Sequence, residues 1–233
     1  MKKIACLAAS LAAAVPLVTH AATLTMTVTA DNAYALYLST DDATLGTAIP
    51  GANNYGGPAG QWSTATTYTV DLTAPVYFLH VVGSNYTPEN GLWPNPGTPN
   101  GSGDNPDAFI GHLSVSGAGN YTFGNGLASL DTNAANWIGT PALDNTSWTT
   151  PTAPVQSYGT NGIAPWGTVS GIPSTAQWIW SNPDNTLYAD LSTAITASSS
   201  APGQAPLPAA LPLFATVLGA GVLALRRRTA VRS

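Results

Sequence analysis

The sequence has no lysine or arginine between Lys3 and Arg226, although the chain is 233 residues long. All eleven Asp and Glu residues lie in that interval, so its formal charge is strongly negative and only histidine could supply a cation. Binding to nucleic acids depends on Lys and Arg contacts with phosphates. Attraction to anionic lipid surfaces depends on the same side chains. The missing cations therefore argue against both kinds of partner for the central region.

Cysteine is also nearly missing, because Cys6 is the only one in the chain. It lies near the start of an apolar run, whereas a lipid-attachment cysteine would end such a run. Removal of the N-terminal segment that contains Cys6 would leave a protein with no disulfide and no thiol chemistry.

Sequence motifs for catalysis are missing too. The chain has no Gly-x-Ser-x-Gly elbow, no His-Glu-x-x-His pair and no glycine-rich phosphate loop. His80 and His112 lie in apolar runs with the character of strands, where a lone histidine is more often a hydrogen-bonded core residue than a base. We therefore predict that the protein is not an enzyme.

The N-terminal segment has the three parts of a secretory signal peptide. Lys2 and Lys3 precede an apolar stretch over 4–18, and small residues follow at 19–21. The apolar stretch is shorter than the roughly 20 residues that a membrane span needs, which argues against an uncleaved anchor. We predict a signal peptide over 1–21 and export of the rest of the chain.

The C-terminal segment combines a linker with an apolar run. Ser, Pro and Gly dominate 198–204, and residues 209–225 are apolar apart from Thr216. A helix over 209–225 would be about 25 Å long, enough to cross a thin bilayer. Because arginines follow it directly, the positive-inside rule places the preceding domain on the far side of the membrane.

This tail resembles the sorting tails of the PEP-CTERM system of Gram-negative bacteria, which are processed by exosortases. The motif is Pro206, Leu207, Pro208 and Ala209, and the arginine cluster is Arg226, Arg227 and Arg228. It is similar to the variant written VPLPA, with Ala205 in place of valine, and the Pro-Glu-Pro form is missing. The resemblance implies transient anchoring in the inner membrane, cleavage by an exosortase-like enzyme, and release to the cell surface or the extracellular matrix. A permanent inner-membrane anchor that faces the periplasm is the alternative.

The central region over 22–197 has the composition of a β protein. It is rich in Thr, Gly, Asn, Pro, Trp and Tyr, and poor in helix-forming residues. Apolar residues alternate with polar ones, or form short runs, over 24–28, 34–38, 68–72, 76–82, 109–115 and 177–180. We predict an all-β domain of six to eight strands, built as an antiparallel β-sandwich or jelly roll.

Several short segments of this region resemble galactose-binding-like jelly-roll modules of bacterial surface proteins. The best matches are Asp-Asn-Thr-Ser-Trp over 144–148 and Pro-Trp-Gly over 165–167, and the segment 30–37 fits the opening strand. The resemblance implies a β-sandwich fold. Sugar binding is common among these modules, although a fold does not give a function by itself.

Tryptophan is the most prominent candidate for ligand contact. Trp62 and Trp93 lie in loops rich in Gly, Pro and Asn, where an exposed indole can stack on the apolar face of a sugar ring. Packing inside the domain is the alternative for both. Trp178 and Trp180 share one strand face and are predicted in the core, and the modules named above use the positions of Trp137, Trp148 and Trp166 for packing.

The carboxylates raise the possibility of a calcium site. Asp104, Asn105 and Asp107 form the densest group of oxygen ligands, inside a Gly/Pro-rich loop. Asp31-Asn32, Asp41-Asp42 and Asp184-Asn185 are smaller groups. No group has the spacing of an EF-hand loop, and solvated turn residues are the alternative.

The sequence thus predicts a non-catalytic exported protein of the cell surface or matrix that binds carbohydrate. A purely structural component of a biofilm matrix, without a specific ligand, is the alternative.

Overall fold

The computed structural model describes residues 21–54, 61–85, 107–182 and 186–198. The predicted signal peptide lies outside these ranges up to residue 20, as do residues 199–204 of the predicted linker and the whole predicted sorting tail over 205–233. Trp93, Asp104 and Asn105 also lie outside them. Within these ranges, no helix has the length and apolarity to cross a membrane.

The described residues contain thirteen strands and one short 3-10 turn, Gln61–Ser63. The strands are β1 (Ala22–Asp31), β2 (Ala33–Ser39), β3 (Thr47–Asn53), β4 (Thr66–Leu72), β5 (Val76–Ser84), β6 (Ala108–Gly117), β7 (Tyr121–Phe123), β8 (Ser129–Asp131), β9 (Ile138–Ala142), β10 (Ala153–Pro154), β11 (Gln156–Thr160), β12 (Gln177–Trp180) and β13 (Tyr188–Ala197).

The strands form two antiparallel sheets. Sheet A has the order β11-β12-β6-β1-β4, and β8 also pairs with β6. Sheet B has the order β10-β9-β13-β5-β2-β3, and β7 also pairs with β13. The prediction of an all-β fold with antiparallel sheets is therefore confirmed, and the arrangement is consistent with a β-sandwich.

The core follows from the alternation in β1. Leu24, Met26 and Val28 are fully buried, while the threonines between them are half-buried on the other face of the sheet. These apolar residues share one cluster with Leu79 of β5 and Leu191 of β13, which belong to sheet B. The cluster therefore lies between the inner faces of the two sheets, where burial of apolar side chains stabilises the fold.

A second apolar cluster lies on the outer face of sheet A. Ala108 and Ile110 of β6 stand opposite Asp31 and Thr29 of β1, so they share the face that the threonines of β1 occupy. The whole cluster consists of Ala108, Ile110, Trp166, Val169, Ile172, Ala176 and Trp178. The segment 161–176, here called the Trp166 loop, supplies four of these side chains and so covers one end of this face.

All six apolar segments identified in the sequence are strands, and the run over 76–82 extends further than the sequence pattern indicates. β5 continues through Gly83 and Ser84. A Cβ atom on Gly83 would lie 2.5 Å from the Trp180 ring, so the glycine serves close packing between the sheets. Trp178 and Trp180 are both fully buried, as predicted for core residues, but they belong to different clusters.

Candidate functional site

Two buried carboxylates meet on the outer face of sheet A, where β1 ends and β6 begins. Asp31 is the last residue of β1 and pairs with Ala108, the first residue of β6, so Asp107 is its close neighbour. Asp31 is 5% exposed and Asp107 is 0% exposed. Asp residues are seldom buried to this extent, because a carboxylate loses hydration when it enters the protein.

Neutral groups donate hydrogen bonds to both of these acids. Trp166 donates its indole N–H to Asp31 Oδ2 at 2.8 Å, and Asn32 donates to Asp31 Oδ1 at 2.7 Å. The Tyr158 hydroxyl donates to Asp107 Oδ1 at 3.1 Å. We call Asp31, Asp107, Tyr158 and Trp166 the acid–aromatic cluster.

The electrostatics of the acid–aromatic cluster oppose full ionisation. Burial raises the pKa of Asp31 to about 7, the hydrogen bond from Trp166 opposes this rise, and the nearby charge of Asp107 adds to it. The surroundings of Asp31 therefore favour its neutral, protonated form more than water does.

Aromatic rings surround the two acids. Trp166 stacks on Trp178 with ring centroids 4.7 Å apart and an interplanar angle of 20°. Tyr158 lies 5.9 Å from Trp166, centroid to centroid. Trp62 is half-buried and packs against the same apolar cluster as these rings. The two acids are therefore enclosed largely by aromatic side chains, with Trp62 at the partly exposed side of the cluster.

A buried amide holds the Trp166 loop in shape. Asn161 donates its side-chain N–H groups to the carbonyl oxygens of Val169 and Ile172, at 3.0 and 2.7 Å, and accepts the Val169 N–H at 2.8 Å. Asn161 is only 6% exposed, so these hydrogen bonds are shielded from water. Trp166 is thus fixed above Asp31 by the sequence of its own loop.

Two of the residues singled out from the sequence lie at this site. Trp62 packs on the aromatic part, and Asp107 is one of the two acids. The predicted calcium set of Asp104, Asn105 and Asp107 stays a prediction, because only Asp107 is described. Among the described residues, no three His, Cys, Asp or Glu side chains are grouped so that they could hold a metal ion.

A second polar cluster lies on the outer face of sheet B and centres on His80, which is 0% exposed. The two ring nitrogens of His80 face the carbonyl oxygen of Leu45 at 3.1 Å and Asp42 Oδ1 at 2.9 Å. Both partners are acceptors, so both ring nitrogens are engaged. Ser192 donates to the same Asp42 oxygen at 2.6 Å.

Trp148 completes this second cluster, here called the histidine cluster. Its ring stacks on His80 with centroids 4.0 Å apart, and its indole N–H donates to the backbone oxygen of Asp42 at 3.0 Å. Because both ring nitrogens of His80 are engaged, the imidazole has no nitrogen left to activate Ser192 as a nucleophile. These hydrogen bonds and the ring stack hold the segments that carry Asp42, Leu45 and Trp148 against sheet B.

Thr149, the residue after Trp148, is also hydrogen-bonded to sheet B. The backbone N–H of Thr149 donates to Asp190 Oδ2 at 2.7 Å, and Asp190 is fully buried. Burial raises the pKa of Asp190 to about 7; the Thr149 hydrogen bond opposes the rise and the charge of Asp144 adds to it.

His112 differs from His80 in exposure. Its Nδ1 lies 2.7 Å from Asp131 Oδ1, and a third of its side chain is exposed. The prediction of a hydrogen-bonded core histidine therefore holds for His80, whereas His112 is hydrogen-bonded at the surface of sheet A.

The chain matches no family model, no curated protein and no solved structure.

Sequence reasoning missed three members of the acid–aromatic cluster. From the sequence, Asp31 is expected only in a smaller group of oxygen ligands, Trp166 is expected to pack, and Tyr158 has no expected role. The available signal was the alternation of β1, whose outward positions are threonine at 23, 25, 27 and 29 and then aspartate at 31. The alternation does not show that β6 pairs with β1 and so brings Asp107 next to Asp31.

Proposed function

We propose that this chain is an exported, non-catalytic protein of the cell surface or extracellular matrix, and that its acid–aromatic cluster is a carbohydrate-binding site. In this proposal the chain has a cleaved signal peptide over 1–21. An exosortase-like enzyme processes its C-terminal tail, after transient anchoring of the span 209–225 in the inner membrane. The domain is a jelly roll similar to galactose-binding-like modules.

One observation carries the binding proposal: Trp62, a half-buried indole, packs against the apolar cluster that contains Trp166 and Trp178, beside the acid–aromatic cluster. A sugar ring has one apolar face that can stack on a partly exposed indole such as that of Trp62. The site lacks any lysine or arginine, so it suits a neutral polysaccharide, or an acidic one that is bridged by calcium.

The alternative, a structural matrix component without a ligand, is supported by the burial of the same rings. Trp166 is 4% exposed and Trp178 is 0% exposed, so both also serve the packing of sheet A. A substitution of Trp62 distinguishes the two functions, because Trp62 is partly exposed whereas Trp166 and Trp178 are buried.

The test is a glycan-binding measurement on protein recovered from the surface or medium of its host. The intact mass of this material shows whether 1–21 and the tail have been removed. Neutral and acidic polysaccharides are then titrated, with and without calcium, while tryptophan fluorescence and calorimetric heat are followed. We expect saturable binding that Trp62→Ala weakens by about tenfold or more, since stacking contributes on the order of 1–3 kcal/mol by analogy with other stacked ring systems.

Trp148→Ala is the matched control. Trp148 is also a half-buried tryptophan, but it lies on the outer face of sheet B, so its loss should leave the affinity unchanged. Absence of binding across the whole panel would favour the structural alternative. Equal losses in both variants would mean that binding depends only on overall stability.

A further inference from the structure

The edges of the two sheets differ in how well they are protected. β10 has only two residues, one of which is Pro154. The pairing of β11 with β12 shifts register between Ser157 and Gly159, and β3 contains Pro50 and Gly51, with a further register shift against β2. Short strands, prolines and irregular pairing all hinder the addition of another strand.

β4, at the edge of sheet A, has none of these features. It spans seven residues without Pro, Gly or Lys, and its only charged residue is Asp71. It pairs with β1 in unbroken register from Ala22 opposite Leu72 to Val28 opposite Thr66. Within the described residues β1 is its only strand partner, so no described strand takes up the backbone donors and acceptors on its other side. Such an edge is a template for another strand.

We propose that β4 pairs antiparallel with β4 of a second copy of this chain, about a two-fold axis at Thr69. This register uses the whole seven-residue strand, because Thr69 is its central residue. Thr69 then lies opposite Thr69 of the second copy, and Thr67 lies opposite Asp71. Sheet A would become one continuous sheet across the two molecules. This inference does not depend on carbohydrate binding.

The side chains of β4 are self-complementary in this register. On its existing side, Asp71 accepts a hydrogen bond from the Thr23 hydroxyl at 3.3 Å, and Thr67 is hydrogen-bonded to Thr27 at 2.9 Å. On the new side, the hydroxyl of Thr67 from the second copy stands opposite Asp71, as Thr23 does now. β4 therefore offers its own copy the same alternation of threonines and apolar residues that β1 already offers it.

The inward-facing side chains of β4 and its single charged residue are both compatible with this pairing. Tyr68 and Val70 are partly buried against the main core and would pair across the axis, which extends the apolar layer. The two Asp71 carboxylates would lie four residue positions apart, at about 13 Å, where salt screens their repulsion. No like charges face each other.

Engineered cysteines test the register directly, because Cys6 is the only native cysteine. The full chain with Cys6→Ser and Thr69→Cys is oxidised gently and run on a non-reducing gel. Opposite residues in an antiparallel pair have Cβ atoms about 4.5–5.5 Å apart, close enough for a disulfide after small adjustments. We expect most of the Thr69→Cys protein to form a covalent dimer. A mixture of Thr67→Cys and Asp71→Cys proteins should cross-link more than either alone.

Ser116→Cys is the control, since Ser116 is exposed on the same face of sheet A but lies on β6, two strands from the edge. Cross-linking of Thr69→Cys that is no stronger than that of Ser116→Cys would overturn the proposal.

Sedimentation of variants without engineered cysteine gives a second, independent measurement. Thr69→Lys places two ammonium groups opposite each other, so a dimer of the unmodified chain should dissociate, whereas Ser116→Lys should remain dimeric. Mixing Thr69→Lys with Thr69→Asp protein should restore the dimer. Circular dichroism verifies that each variant is folded. A monomeric unmodified chain, or a dimer that survives Thr69→Lys, would overturn the proposal.

Discussion

A stacked tryptophan covers part of the outer face of each sheet, but the side chains beneath the two tryptophans differ. On sheet A, Trp166 stacks on Trp178, and on sheet B, Trp148 stacks on His80. In both places the indole N–H donates to an aspartate residue, to the carboxylate of Asp31 in the first and to the backbone oxygen of Asp42 in the second.

The two clusters differ in the donor that faces the acid. His80 presents an imidazole to the carboxylate of Asp42, while the hydrogen bonds that the structure shows to Asp31 and Asp107 come from Trp, Asn and Tyr. Since the chain between 4 and 225 has no lysine or arginine, histidine is its only possible cation. The two clusters therefore hold their acids with different donors: an imidazole on sheet B, and uncharged indole, amide and phenol groups on sheet A.

The largest expected effect comes from removing the stacked indole of sheet A. Trp166→Ala deletes a buried ring and the donor to a buried carboxylate, so we expect a loss of about 4–6 kcal/mol in the free energy of unfolding. Trp148→Ala, the matched variant on sheet B, removes a half-buried ring and should cost about 2 kcal/mol. Urea denaturation of both variants checks this. Equal losses would mean that the two loops contribute alike to stability.

A somewhat smaller effect is expected from pH. The pKa of Asp31 rises from 3.8 in the unfolded chain to about 7 in the folded protein. Between these values the unfolded chain has released the proton and the folded protein retains it, so stability falls as pH rises from 4 to 7 and is constant above. A shift of this size corresponds to at most about 4 kcal/mol. Asp190 contributes in the same direction.

Denaturation of the unmodified chain and of Asp31→Asn at pH 4.5 and pH 8 isolates the contribution of Asp31. The amide does not titrate, so the difference between the two pH values should shrink in the variant. An unchanged difference would assign the pH dependence to Asp190 and other groups, and the acid–aromatic cluster would then be ionised throughout.

The smallest expected effect concerns the histidine cluster. His80→Gln can keep one of the two hydrogen bonds of the ring and loses the stacking on Trp148, so we expect a loss of about 2 kcal/mol. His112→Gln is the control, because that side chain is partly exposed, and it should cost under about 1 kcal/mol. Thermal or urea unfolding measures both. A His80→Gln variant as stable as the parent would show that the imidazole is replaceable by any donor.

The fold could be predicted from the sequence wherever burial of one strand face makes apolar residues alternate with polar ones. Leu24, Met26 and Val28 alternate with threonine, and this pattern alone places one face of β1 in the core. The two-residue β10 and the three-residue β7 and β8 are too short to show any period, so six to eight strands were expected where thirteen are described. The sequence pattern ends the run over 76–82 before Gly83, because it does not show that the Trp180 ring packs against that glycine.

The candidate site was predictable only in parts. Loop composition identified Trp62 and Asp107 as residues of interest, but nothing in their spacing indicated that they belong to one site. Their association depends on the pairing of β1 with β6 and on the Trp166 loop, both of which are contacts between residues far apart in sequence. Local patterns cannot specify such contacts, and the role of Trp93 stays a prediction.

The three hydrogen bonds of Asn161 separate the base of the Trp166 loop from its tip. The base sets where the indole sits. The exposed Ile163 side chain at the tip makes none of these hydrogen bonds, although the Ile163 backbone is hydrogen-bonded to Thr160 and Gly167. Substitutions that change only this exposed side chain could therefore accumulate while the scaffold beneath keeps its geometry. A lineage carrying this loop could vary the surface of its domain without having to refold it.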